Sequence, residues 1–208
     1  MTSVARAADR VVLPRAELTR AAMLVAGLGA AVALRWGAQL RFAGDGLVIG
    51  AGFGAVLFVL AAAMWDERRP VVRSRVDARL LAAPLVGLFI GFMLVALAAA
   101  IRADAMPALR PAAPFAPWVA VTVIVAGAEE ALLRGALFTT ADRLAGPLVA
   151  LVLTSALFAA MHLPFYGLAA LPLDLGVGFV LGGLRLATRG IAAPIAAHVV
   201  ADLATWWL

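Results

Sequence analysis

The sequence predicts an all-α, polytopic membrane bundle of about seven transmembrane helices, and three observations carry that reading. Of 208 residues, 65% are hydrophobic and only 14% charged, with a mean hydropathy of +1.03; a soluble domain carries about a quarter charged residues. The apolar residues fall in runs that approach the roughly 20 residues a helix needs to cross a bilayer. The seventeen basic residues, all arginines, are concentrated between those runs. This spacing reads as topogenic charge and not as a nucleic-acid stripe, in spite of a pI of about 11.3. Cysteine is absent, which excludes disulfides and thiolate metal sites.

Residues 1–20 hold Arg6, Arg10, Arg15, Arg20 and Pro14 with no apolar run, and read as a polar cytoplasmic N-terminal tail to a bundle over 21–208. The first span covers 21–34, starting nearer Leu18; its apolar stretch could be taken for a signal-peptide core, but a membrane helix that tilts or thins the bilayer is preferred. A second span is expected at about 46–65 and a third at about 80–101. Arg68, Arg69, Arg73, Arg75 and Arg79 lie between them and mark a cytoplasmic loop. Pro107, Pro111, Pro114 and Pro117 disfavour helix and predict a stiff extracytoplasmic connector.

The fourth span, about 118–138, carries Glu129, Glu130 and Arg134. A turn at Asp142, Arg143, Gly146 and Pro147 leads to a fifth span at 148–162, ended by Pro164. A sixth follows at 168–186, and after Arg189 and Gly190 a seventh runs from Ile191. With the N-terminus in the cytoplasm, twelve arginines fall on that side and four on the other. The chain is therefore placed as a multi-pass protein of the inner (plasma) membrane, N-terminus cytoplasmic and C-terminus outside. Gly178 and Gly182 form a GxxxG pair; with the alanines after Ile191 they predict close helix packing.

Charge within a span sets the functional question. Each charged residue near a bilayer centre costs about 2.5–3.5 kcal/mol on insertion scales. Glu130 and Arg134 are four apart on a helix and can neutralise one another. Glu129 is turned away by about 100° and has no such partner on its own helix. Both histidines of the chain lie on apolar spans, His162 four residues after Phe158 and His198 four before Asp202. Such a set can work in two ways. A glutamate with a histidine can hold and deprotonate a water while a second histidine stabilises the oxyanion of an attacked carbonyl. Alternatively, Glu129, His162, His198 and Asp202 are acceptable ligands for zinc. Both routes lead to hydrolysis of an amide inside the membrane.

The blocks Glu129-Glu130-x-x-x-Arg134, Phe158-x-x-x-His162 and His198-x-x-x-Asp202, in this order, resemble the signature of the CAAX protease and bacteriocin-processing (CPBP, or Abi) family, intramembrane endopeptidases of the CAAX prenyl protease 2 type. The resemblance covers about 115–205. It implies a conical helical bundle that opens towards the cytoplasm and the membrane. It implies Glu129 as general base, His162 as its partner in holding water, and His198 with Asp202 at the oxyanion. Glu130 and Arg134 become a structural ion pair, and Phe158 packing that orients His162. Asp202 departs from members with Asn there: an ionised carboxylate cannot donate a hydrogen bond, so it is protonated, orients His198 or binds metal. The implied partner is a membrane-embedded or lipid-anchored protein or peptide. A prenylated tail is the eukaryotic precedent, whereas the composition here looks bacterial. Members commonly continue into an eighth span, whose absence would leave a flank open to lipid or to a second copy of the chain.

Asp174 is expected at the outer interface sooner than in the site, and Trp206 and Trp207 as an interfacial anchor. Two other classes stay open: an ion- or proton-coupled transporter, which would favour inverted repeats that the sequence lacks, and a non-catalytic scaffold that keeps the polar network for packing.

Overall fold

The computed structural model describes residues 15–42, 46–64, 78–102 and 113–207. Most of the N-terminal tail, most of the five-arginine loop and most of the proline-rich connector lie outside the described residues; Arg79, the last of the five arginines, falls in the first turn of the helix Ala78–Arg102. Among the described residues every regular element is a helix, and six are long and apolar enough to cross a membrane. They are built from α1 (Arg15–Arg41), α2 (Gly46–Ala63), α3 (Ala78–Arg102), α4 (Phe115–Glu130), α5 (Phe138–Ala145), α6 (Pro147–Tyr166) and α7 (Leu171–Thr188). A shorter apolar helix, α8 (Ala192–Ala204), completes the bundle. The predicted all-α membrane bundle is what forms.

The boundaries moved for identifiable reasons. α1 starts at Arg15, taking in residues 15–20 of the stretch read as a tail; Glu17 in its first turn suits the helix dipole. The fourth span is a rod from Phe115 to Ala145, longer than predicted, because Asp142 and Arg143 stay helical and the chain turns only at Gly146. Gly146 has φ 87°, a left-handed value that glycine adopts at little cost. α6 likewise runs past Pro164 to Tyr166 and stops at Gly167, φ 74°. A single 3₁₀ turn, Leu168–Ala170, connects it to α7.

Large apolar side chains face outward all round: Val48 is 72% exposed, Leu97 54% and Leu148 72%. A soluble protein rarely presents so much apolar surface; here it is the face offered to lipid acyl chains. Inside, helices close on small residues. A side chain at Gly87 of α3 would run into the Ala193 backbone of α8, and at Gly91 into Ala197 and Val200. Gly178 of α7 lies against Ser155 of α6, within 3.0 Å of its Cα for an added Cβ. These contacts let backbones approach where water supplies no drive for helix association.

Two side-chain groups mark the ends of the bundle. Arg143 bonds Glu17 at 3.2 Å, tying the end of α5 to the start of α1. At the opposite end the start of α4 meets the end of α8, where Trp206 packs 5.0 Å from Phe115 and 4.9 Å from Trp118.

Candidate functional site

Between α4 and α5 the rod is wound as a π-helix over Ala131–Leu137, where the Phe138 N–H reaches the Leu133 carbonyl five residues back. Single π turns inside α-helices recur at functional sites. All seven residues are buried, together with Glu129 and Glu130 just before them.

Arg134, fully buried, donates to Glu130 Oε1 at 2.8 Å and to the Gly178 carbonyl of α7 at 3.1 Å. Its guanidinium carbon also sits 4.8 Å from the centre of the Phe158 ring on α6. The Arg134 carbonyl in turn accepts Arg185 Nε of α7 at 2.9 Å. The predicted Glu130–Arg134 pair is thus present, and it clamps three helices.

Glu130 does more than pair with Arg134. Its Oε1 also accepts Nδ1–H of His198 from α8 at 2.9 Å. With Nδ1 fixed, His198 presents Nε2 to two carboxylates, Glu129 Oε2 at 3.8 Å and Asp202 Oδ2 at 3.5 Å. The sequence led to pairing of His198 with Asp202 alone, because they share a helix face. The Glu130 contact spans 68 positions and leaves no local trace.

His162 is set by its own helix. Its Nδ1–H donates to the Phe158 carbonyl at 2.8 Å, which in the neutral ring leaves the Nε2 lone pair free. The Phe158 ring lies 4.6 Å from His162 and 5.3 Å from His198, so one phenyl spaces both imidazoles and also carries Arg134.

The structure therefore gathers Glu129, His162, His198 and Asp202 from three helices, α4, α6 and α8, over a support of Glu130, Arg134 and Phe158. Exposure rises across the group, from 3% for the Glu129 and His198 side chains to 42% for Asp202, so the cluster opens at one side. Asp174, in the first turn of α7 and half-buried, is within electrostatic reach of His162 and Asp202 and borders that opening. Sequence reasoning missed Tyr166, which stacks on His162 at 5.7 Å, and Arg185. Tyr166 follows His162 by four residues, the spacing that could have flagged it.

The donor set was also weighed against zinc. Among the described residues no three His, Asp or Glu side chains converge as a metal site requires. Each imidazole Nδ1 is held, by the Phe158 carbonyl and by Glu130, which leaves both Nε2 atoms as the ring nitrogens available to a ligand.

Residues 111–204 match the family model described as type II CAAX prenyl endopeptidase Rce1-like. No curated protein and no solved structure matches the chain.

Proposed function

We propose, from the match of residues 111–204 to the type II CAAX prenyl endopeptidase Rce1-like family model, that the protein is an intramembrane endopeptidase acting on a membrane-embedded or lipid-anchored peptide. The observation that carries the reading is the buried Glu129 carboxylate, 3.8 Å from His198 Nε2, beside the Phe158 ring that packs on both His198 and His162.

In this reading a water sits between Glu129 and His162. Glu129 takes its proton as the water attacks the peptide carbonyl, and the His162 Nε2 lone pair holds its other hydrogen. The carbonyl oxygen gains charge as the tetrahedral centre forms. His198 meets that charge through Nε2–H when both its nitrogens are protonated, a form supported by Glu130 at Nδ1. Asp202 orients the same ring from the open side. Collapse of the intermediate returns the proton from Glu129 to the leaving amine. No step runs through a metal.

The test compares purified wild type with Glu129→Ala and His162→Ala on a quenched membrane-peptide library, with folding matched by thermal unfolding in detergent and metal content measured alongside. Cleavage lost in both variants at unchanged stability supports the assignment. Cleavage that persists in Glu129→Ala overturns it, and stoichiometric zinc lost with activity would move the mechanism to a metal-bound water.

Orientation is a separate proposal. We infer from the arginine distribution that the end marked by Arg143 and Glu17 faces the cytoplasm, across the inner membrane of a bacterial cell. Tyr166, Asp174 and Asp202 all lie towards the opposite end, where α6 and α8 finish and α7 begins. A cytoplasmic N-terminus and a site that opens to the cytoplasm, as the family resemblance implies, are therefore mutually exclusive. The charge distribution favours an opening on the outer side and a substrate tail that reaches it from there.

A further inference from the structure

Arg35 of α1 lies outside the family-matched stretch and outside the cluster described above. Its guanidinium carbon is 4.7 Å from the centre of the Phe53 ring on α2 and 4.6 Å from that of Phe165 on α6. Neither contact gives an N–H an oxygen acceptor. Among the described residues Arg35 has no hydrogen bond or ion pair, and its Nε is buried without a partner. Other buried arginines of the bundle are anchored, Arg134 on Glu130 and Arg185 on the Arg134 carbonyl.

The same guanidinium lines a cavity of about 330 Å³ with Trp36, Gln39, Phe165 and Tyr166. Tyr166 is shared with the site, for its other neighbour is the His162 ring, nearly parallel at 20°. The cavity is thus an antechamber to the cluster, separated from His162 by one aromatic ring.

A planar guanidinium held between two rings, with its N–H groups unspent, suits a planar carboxylate that it can meet with two parallel hydrogen bonds. Asp174 and Asp202 place carboxylates at the same end of the bundle, and Arg35 is the residue lining this cavity that offers an anion unspent N–H groups. We propose that Arg35 is a specificity-determining residue that binds a carboxylate of the substrate peptide in this cavity and thereby sets the scissile bond at a fixed distance from Glu129. The proposal rests on the peptidase reading. The carboxylate has two sources, the peptide's own C-terminus or an acidic side chain near the cut.

The experiment uses one membrane peptide in three forms: free acid, C-terminal amide, and amide with an aspartate placed beyond the cut. Wild type is expected to cleave at least one carboxylate form with kcat/KM about tenfold or more above the plain amide. In Arg35→Gln that ratio falls towards one, and in Arg35→Lys part of it returns. Because the ratio is taken within one protein, a smaller folded fraction does not change it. Preference for the free acid alone assigns the terminus; preference for the aspartate form alone assigns a side chain. A wild type without preference, or an Arg35→Gln protein that keeps it, overturns the proposal while leaving the peptidase reading intact. Binding of the same peptides to Glu129→Gln, with and without Arg35→Gln, covers the converse case. Should wild type cleave nothing, carboxylate-dependent binding lost with Arg35 still supports the site, and equal binding of all three forms refutes it.

Discussion

Arg134→Met tests whether the buried ion pair holds the site together. The substitution keeps an unbranched apolar side chain but deletes the donors to Glu130 Oε1 at 2.8 Å and to the Gly178 carbonyl at 3.1 Å. Glu130, fully buried, then keeps only the His198 Nδ1–H bond. Removing one partner of a buried pair costs about 3–5 kcal/mol, since an uncompensated charge stays behind. The orphaned Gly178 carbonyl is a further penalty that shares the same neighbourhood, and such terms do not add. We therefore expect a loss of about 4 kcal/mol, read as a shift of the unfolding curve in mixed micelles titrated with a denaturing detergent. The double substitution Glu130→Leu/Arg134→Met removes both charges, and apolar replacement of a buried pair is often neutral or better. It should recover at least about 2 kcal/mol of that loss, yet without cleavage activity, because His198 Nδ1 has lost its acceptor. An Arg134→Met protein within about 1 kcal/mol of wild type, or a double variant no more stable than the single one, would refute the clamp.

Three further outcomes are expected. Gly87→Leu should abolish the folded protein or lower its Tm sharply, since its Cβ would meet the Ala193 backbone, whereas Gly183→Ala, with open space around it, should not; thermal unfolding compares them. Asp202→Asn should keep cleavage within about tenfold of wild type, because an amide can still orient His198 and can also donate, while Asp202→Leu should lose more; kcat/KM on one peptide decides. The chain has no cysteine, so single substitutions report orientation without background. A membrane-impermeant thiol reagent applied to intact cells should label Trp207→Cys and leave Ala145→Cys unlabelled until the membrane is opened, and the reverse pattern would turn the bundle over.

What could be read from the sequence follows from the range of the forces involved. Hydropathy is summed locally, so the spans and their order were legible. Contacts four residues apart on a helix, such as Glu130 with Arg134 and His198 with Asp202, were legible for the same reason. The ends of the spans were read less well, because glycines at 146 and 167 stop the helices where charge and proline had been expected to. Neither the π-helical winding over Ala131–Leu137 nor the approach of His198 to Glu130 leaves a periodicity to detect. Both depend on which helix packs beside which. Arg35 was counted only as one more topogenic charge, since nothing in its neighbourhood of the chain tells of Phe165 on another span.

The distribution of unsatisfied groups bears on the scaffold alternative. A network kept only for packing in hydrocarbon would be expected to close on itself, because each unpaired polar group there is costly. In the deep half Arg134, Glu130, Gly178, Arg185 and His198 Nδ1 form a connected set of short bonds, with Glu130 Oε2 and Arg134 Nε left over among the described residues. The open half is bonded more sparsely. Glu129 meets His198 Nε2 only at 3.8 Å, Asp202 is 42% exposed, and Arg35 Nε has no partner among the described residues. Stability would be served by closing these gaps, and the chain instead spends its two histidines and a second glutamate at the boundary between a densely bonded network and a sparsely bonded opening. That boundary is where an incoming water and peptide bond could supply the missing partners, so substrate binding completes the network and the groups left unpaired beforehand become the ones that act.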